Sequence, residues 1–477
     1  MIADPHPSGL TLKAAGRDNA AMPSTAPTPL HTLLTHGPLL LQAPMAGSQG
    51  SALALAVCQA GGIGALPAAM LAPEALTQEL TRLSQGTNRP WNVNFFCHTP
   101  PEPDAAREAR WRETLAPFYA EAGLDIDAVP AGAGRVPFSH TVADLVEPFR
   151  PPIVSFHFGL PAPDLLARVK GWGSVVLSSA TTVEEALWLE AHGVDAVIAQ
   201  GIEAGGHRGM FRTDDLTTQV GTFALLPQIV AAVNVPVIAA GGIADAAGVR
   251  AALALGAAGV QVGTAYLCSD EALTSPIHRA ALQSEAARHT QLTTLFSGRP
   301  ARGIVNRLMR ELGPLNPAAP AFPTATAAIA PLRAHGEKQG SGDFSPLWSG
   351  QNARGCRSAP AADITRELLQ GFPAVARHVV IFRATARALD AEYSATAAQL
   401  RELALTRFGC LDFVAVTEGD QEVALSYWPD EASIRAWKQH ADHLMAQQLG
   451  RERWYAGYSV EVAAITRHYH RPAPAQA

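Results

Sequence analysis

From residue 38 onward, short apolar runs alternate with longer stretches in which Ala, Leu and Glu recur at helical spacing. The runs are PLLLQAPM (38–45), GIGALPA (62–68), WNVNFFCH (91–98), PIVSFHFG (152–159), SVVLSSAT (174–181), DAVIAQGI (195–202), PVIAAGGI (236–243) and AGVQVGTAY (258–266). Most are apolar on both parities, often β-branched and bounded by Gly or Pro, as parallel strands covered on both faces should be. Between them, TVEEALWLEAHG (182–193) opens on a Thr with acids in its first turn and closes on Gly. ADAAGVRAALALG (244–256) repeats apolar residues at helical spacing and stops on Gly256. These are helix start and stop signals. Eight strand–helix units over roughly 250–300 residues predict an α/β chain folded as a (β/α)8 barrel. An open doubly wound sheet seldom takes eight parallel strands in succession.

Two stretches interrupt the repeat. Residues 100–150 contain PEPDAAREARWRETLAPFYAEAGLD, a charged amphipathic helix with more helix after it. An insertion behind the third strand falls on the catalytic face of a barrel, so a lid is expected there. Residues 268–350 hold the turn-rich SGRPARGIVNR and the tract GPLNPAAPAFP. From 351 to 375 the composition is that of a linker, with one short helix (ITRELLQ).

The last hundred residues read differently. HVVIFRATA (378–386) is a strand, 389–407 a helix, and CLDFVAVTE (410–418) pairs with EVALSYW (422–428) across Gly419-Asp420-Gln421. A helix over about 430–448 and the strand YSVEVAAIT (458–466) complete the order βαββαβ, a small α+β ferredoxin-like domain. The expected organisation is a disordered leader (1–34), a barrel (35–350), a linker (351–375), the second domain (376–470) and a tail (471–477).

Composition narrows the function classes. Of 477 residues 48% are hydrophobic and 16% charged, against about 25% charged in ordinary proteins; long disorder is excluded for most of the chain. A net charge of −6 leaves no electrostatic footprint for nucleic acid. No uninterrupted apolar run approaches the roughly 18 residues of a membrane span. Five cysteines without a CxxC pairing fit neither a disulfide framework nor a zinc knuckle. The N-terminus lacks an apolar h-region and carries Asp4, so a cytoplasmic, reduced protein is expected.

Barrel chemistry sits at the C-terminal ends of strands, with phosphate after the seventh and eighth. There the chain places Gly241-Gly242 and Gln261-Val262-Gly263-Thr264. Glycines admit a phosphate to backbone N–H groups, and Thr264 can add a hydroxyl; the alternative is that they only make tight turns. No GxGxxG opens a strand–helix unit with a distal acid, which favours a mononucleotide over a dinucleotide. The densest polar cluster, Gln200 to Gly209, follows the sixth strand and sets His207 among glycines, where imidazole can act as a base or donate to an anionic oxygen. Glu203 and Arg208 either pair with each other, face solvent or join the chemistry. Asn94 can meet a planar ring edge, and His157 shares strand parity with Ser155 at the mouth, unless it is a buried structural histidine.

QAPMAG (42–47), AGGIGALPA (60–68), NVNFFCH (92–98), VSFHFG (154–159), VIAQGIEAGGHRG (197–209), AAGGI (239–243) and QVGTA (261–265) together resemble the nitronate monooxygenase family, formerly the 2-nitropropane dioxygenases, in its bacterial class I form. The resemblance covers about 38–350. It implies an FMN-dependent TIM barrel that oxidises alkyl nitronates, propionate 3-nitronate among them, with O2 to carbonyl compounds and nitrite. Carried over by motif, it puts His207 at the catalytic histidine and His157 in the substrate pocket. Met45, Asn94, Gln200, Gly205, Gly242, Gln261, Val262, Gly263 and Thr264 fall on FMN-contacting positions. FMN-dependent NAD(P)H enoyl-thioester reductases resemble the same scaffold and remain the alternative. Residues 376–470, with YWPDEASIRAWKQHADHLMAQQLGRERWYAGYSVEVA (427–463), resemble the antibiotic biosynthesis monooxygenase (ABM) superfamily of dimeric α/β-barrel proteins. That resemblance implies either a second enzyme or a homodimerisation module. No catalytic residue is carried over to it.

Overall fold

A computed structural model describes residues 38–129, 135–374, 376–387 and 389–465. The leader expected over 1–34 and the tail over 471–477 lie outside them. All eight expected strands form, at Leu39–Gln42, Gly64–Pro67, Trp91–Phe96, Ile153–His157, Val175–Ala180, Ala196–Gln200, Val237–Ala240 and Gly259–Val262. Each pairs in parallel with its neighbour, and the first pairs with the eighth. A parallel bridge between Leu41 and Ile63 joins the first to the second, so the sheet closes into a barrel.

Alternation along each strand explains the apolar runs. Leu39, Leu41, Ile153, Val175, Leu177, Ile198 and Ile238 fill the barrel interior. Leu40, Val93, Val154, Val176, Val197, Ala239 and Val260 face outward into the core shared with the helices. Both parities are buried, so both must be apolar. At the C-terminal ends the inward parity turns polar: Asn94, Ser155, His157, Ser179, Gln200 and Gln261 reach the mouth. The two expected helices form at Val183–Ala191 and Ala246–Ala254, capped by Thr182 accepting from Glu185 N and Asp245 accepting from Gly248 N.

The insertion packs as a wall. Its helix Ala105–Ala122 buries Trp111, Leu115, Phe118 and Tyr119 in a satellite core with the helix Thr326–Lys338. Trp111 Nε1 donates to Ala325 O at 3.3 Å and Tyr119 OH to Ala328 O at 2.6 Å. Among described residues of the expected lid, Arg135 is the one that lines the cleft.

The stretch read as a linker is instead part of the barrel up to residue 372. The helix Ala361–Leu369 buries Ala361, Ile364, Thr365 and Leu368 against the barrel's outer core, and Tyr266 OH meets Thr365 Oγ1 at 2.9 Å. A single apolar stripe between polar loops resembles a linker in composition but finds a partner in space.

Residues 290–304 add two strands the sequence did not suggest. Thr290–Thr293 and Ala301–Ile304 form an antiparallel sheet whose third member is the two-residue strand Gly206–His207. Downstream, four antiparallel strands run in the order Asp412–Glu418, Gln421–Trp428, His378–Ala386, Tyr455–Ala464. With the helices Ala391–Arg407, Glu431–Lys438 and Ala441–Leu449 this is the ferredoxin-like order. One sheet face packs Val380, Phe413 and Trp428 with Ala404 and Trp437 from the helices; Val414, Val416 and Val423 on the other parity stay exposed.

Candidate active site

His207 sits where three elements converge. Its backbone pairs with Ala301 in the small sheet, and its carbonyl accepts from Gln200 Nε2 at 3.0 Å and His157 Nε2 at 3.2 Å. Its Nε2 meets Ser297 Oγ at 2.8 Å. Phe96, Phe158, Phe322 and Trp348 surround the ring at centroid distances of 5.4–6.4 Å. Burial, reinforced by Arg135, His157, Arg299 and His98, holds the imidazole well below the ordinary histidine range. At neutral pH it is therefore neutral, with one of its two ring nitrogens unprotonated.

His157 is in the cleft wall, but both of its nitrogens are taken. Because Nε2 faces a carbonyl, it carries the proton, and Nδ1 at 3.1 Å from Ser179 Oγ accepts. Burial pushes its pKa down to about 4. Its visible work is to hold the His207 backbone. The next residue, Phe158, has φ of 70°, a left-handed conformation that costs a non-glycine residue roughly 1–3 kcal/mol. Arg299 stacked over its ring at 4.1 Å and contacts with Phe96 and Phe322 hold it there.

Gln200 spends both ends of its amide on the loop, its Oε1 accepting from the Gly209 amide at 2.7 Å. Arg208 neither faces solvent nor pairs with Glu203. It is wholly buried and donates to Gln219 Oε1, Gly201 O and Gln200 O at 3.0, 2.6 and 2.7 Å. Glu203 accepts from Thr222 N and Oγ1 at the start of the helix Thr222–Ala232, where its charge also suits the helix dipole.

On the far side of the cleft, Gly241 and Gly242 have φ of 119° and 74°, which only glycine adopts freely. Among the described residues the amides of Gly242, Ile243 and Gly263 donate to no backbone carbonyl. Thr264 Oγ1 lines the same end and accepts from Gly350 N at 3.0 Å. Gly205 lies so close to a strap at 349–350 that a Cβ would fall 2.5 Å from Gly350 N. Met45 lies beside Gly263 at the mouth, its Sδ 3.7 Å from where a Cβ on the glycine would be. Gln261 Oε1 is buried without a hydrogen-bond partner, while Asn94 donates from Nδ2 to Ser155 O and Oγ. Val262 does not share this space: its side chain lies on the outward parity in the core behind the strand, so only its neighbours Gln261 and Gly263 line the cleft.

Sequence reasoning missed Ser297, Arg135, Trp348, Gly350 and Asn352, all brought in from loops beyond the strand ends. Ser297 and Arg299 stand in the SGRPARG stretch, whose turn residues were its one local signal. Arg135 lies over the Phe322 ring at 5.3 Å, and its Nη1 is buried without a partner. No Asp or Glu is among the described residues lining the cleft. A neutral imidazole, an arginine with no carboxylate partner among the described residues and a cradle of free amides suit a planar, phosphorylated cofactor beside an anionic substrate.

A profile described as nitronate monooxygenase matches residues 28–371. The chain is similar to the nitronate monooxygenase of Paraburkholderia phytofirmans, 42% identical over 336 residues that cover 69% of this chain and 90% of the relative. It is 41% identical to the nitronate monooxygenase of Pseudomonas aeruginosa over 339 residues, 69% of this chain and 95% of that one. Among solved structures it is similar to a nitroalkane oxidase from Streptomyces ansochromogenes, with 39% identity, a TM-score of 0.66, and coverage of 72% and 99%. FabK from Thermotoga maritima is more distant, with 25% identity, a TM-score of 0.51, and coverage of 79% and 99%.

Proposed function

This chain belongs to the nitronate monooxygenase family and is a nitronate-oxidising enzyme of a flavin-dependent kind; from that premise we propose that its flavin is FMN and that His207 is the base of the reaction. The cleft residues fit that cofactor. The orphaned Gln261 Oε1 suits an N–H on the edge of a planar ring, and the unpaired amides at Gly242, Ile243 and Gly263 suit one terminal phosphate. When bound, the flavin supplies the electron-accepting chemistry that no side chain here offers.

The chain's own groups do the rest. Neutral His207 takes the proton from the carbon beside a nitro group, with Ser297 fixing the ring through Nε2. A preformed nitronate needs no such transfer; it needs a site that tolerates an anion. Arg135 on the cleft wall, whose Nη1 has no partner among the described residues, provides it. The observation that carries the reading is a cleft with no Asp or Glu among its described lining residues, set around a buried neutral imidazole. His157, expected in the substrate pocket, serves as a positioning residue through the His207 carbonyl.

The test is an anaerobic mixture of the full-length protein with propionate 3-nitronate, followed by visible absorbance. A yellow protein whose spectrum changes on mixing, and which yields nitrite when air enters, supports the reading. A yellow protein that ignores the nitronate and is bleached by NADPH overturns it in favour of the enoyl-thioester reductase.

We further propose that the C-terminal unit is an ABM-like module that pairs two copies of the chain. Its bare sheet face carries Val414, Val416 and Val423 at 43%, 62% and 37% exposure, a surface that association would cover. Five unpaired cysteines accord with a reducing, cytoplasmic setting.

A further inference from the structure

Residues 349–356 run as a strap along the end of the cleft where the free amides stand. Gly350 N donates to Thr264 Oγ1 at 3.0 Å, Gln351 N to Glu203 O at 2.9 Å and Asn352 Nδ2 to Gly242 O at 2.8 Å. The last residue of the strap, Cys356, donates from its thiol to Thr264 O at 2.9 Å. Both ends of the strap thus rest on the same threonine.

Behind Thr264 lies a second thiol. Cys268 is fully buried with Leu267, Leu282, Ile304 and Leu347, and Cys356 packs against that cluster. Cys356 Sγ rests on Thr264 O, one tight turn of chain before Cys268, and packs against the same cluster, so the two thiols are neighbours. Arg279 ties down the Cys268 segment, donating to Cys268 O, Ser269 O and Ala272 O, each at 2.7 Å. Neither cysteine is used by the nitronate chemistry, and neither has a disulfide partner.

We propose that Cys268 and Cys356 form a peroxide-sensitive dithiol, oxidised by hydrogen peroxide to a disulfide that clasps the strap over the cofactor end of the barrel. The clasp's effect on cofactor rests on the flavin reading above; the disulfide itself does not. In the first step the Cys268 sulfur attacks one peroxide oxygen, the O–O bond breaks, and the departing hydroxide takes the thiol proton to become water. In the second step the Cys356 sulfur displaces hydroxide from the Cys268 sulfenic acid, forming the S–S bond and a second water. The dithiol loses two electrons and peroxide gains them. The roles follow from the surroundings. The neighbouring Cys356 and the charge of Arg279 hold the Cys268 thiol below its ordinary range, whereas Cys268 beside it and burial push Cys356 up. Burial raises the other three, Cys58 to about 11 and Cys97 and Cys410 likewise upward, so they are poor competitors.

Full-length, flavin-loaded protein is treated with hydrogen peroxide, denatured, alkylated and mapped by mass spectrometry. The expected result is a loss of two of the five thiols, a cross-linked pair of peptides carrying Cys268 and Cys356, and reversal by dithiothreitol. In Cys356→Ser, Cys268 should stop as a sulfenic acid that a dimedone probe captures. Flavin release, followed by its fluorescence, should slow severalfold in the oxidised wild type and not in Cys356→Ser. Equal loss of all five thiols, or oxidation without the cross-linked peptide, overturns the dithiol. A disulfide that leaves flavin release unchanged overturns the clasp. A colourless protein that still forms the disulfide faults the flavin reading alone.

Discussion

Replacing His207 with Asn separates base chemistry from binding. The shorter amide ends at the level of the ring's Nδ1, gives up the contact that Nε2 makes with Ser297 at 2.8 Å, and cannot accept a proton at neutral pH. Among the cleft's lining residues the other imidazole, His157, cannot substitute, since both its nitrogens are engaged. A positioned general base contributes about 10²–10⁴ in rate, or about 3–5 kcal/mol of barrier. A preformed nitronate is already deprotonated, so the variant removes from it at most one charge-assisted contact, about 1.5 kcal/mol or roughly tenfold. The preference for nitronate over its parent nitroalkane should therefore rise by about tenfold to a thousandfold. The assay compares kcat/KM for a neutral nitroalkane and for its nitronate by oxygen uptake and nitrite release. In the wild type the acid limb of the nitroalkane profile should lie below the ordinary histidine range, because burial and four cationic or imidazole neighbours disfavour protonation of His207. Equal losses for both substrates would refute the base role.

Arg135→Met removes a cation from the cleft wall: KM for nitronates should rise about tenfold, and the His207 acid limb should move upward because a repelling charge is gone; a limb that stays put would contradict that coupling. Gly205→Ala drives a Cβ to 2.5 Å from Gly350 N, so the strap must open, and flavin retention after gel filtration should fall with the barrel still folded; full retention would show that the strap is dispensable. His157 is held at a pKa of about 4 against about 6.5 when unfolded. Between those values the unfolded state binds more protons, so stability should fall as pH drops from 6.5 toward 4, by about 3 kcal/mol from this residue. Guanidinium midpoints across that window should flatten in His157→Gln; an identical slope would exclude His157 as the source. Val416→Asp, at a position 62% exposed on the bare sheet face, should convert a dimer to a monomer in sedimentation, and an unchanged mass would remove that face as the interface.

How much of this was legible depends on the range of the physics involved. Strands such as Ile153–His157 and Ala196–Gln200 were readable because a parallel strand with helices outside and a packed barrel within must be apolar on both parities. The same alternation sends Gln200 and Gln261 inward at the mouth, and turns Val262 away from a cofactor position that the resemblance had assigned to it. The βαββαβ order of the last hundred residues was equally local, written in strand period and turn residues.

What the sequence did not disclose is where partners come from. Arg208 looks like a solvated charge in a glycine loop, yet three acceptors around it, two of them main-chain carbonyls at a strand end, make its burial affordable. Ser297 stands 90 residues from the histidine it orients, and the strand Gly206–His207 is too short for any period and exists only because Ala301–Arg302 lies beside it. The helix Ala361–Leu369 carried one apolar stripe that its neighbours in sequence could not cover and the barrel could. Periodicity along the chain determined which faces must be buried, because that is a property of consecutive residues. Only the tertiary structure decided which buried charge meets which carbonyl, because hydrogen bonds and ion pairs are settled by distance in space and leave no repeat in the chain.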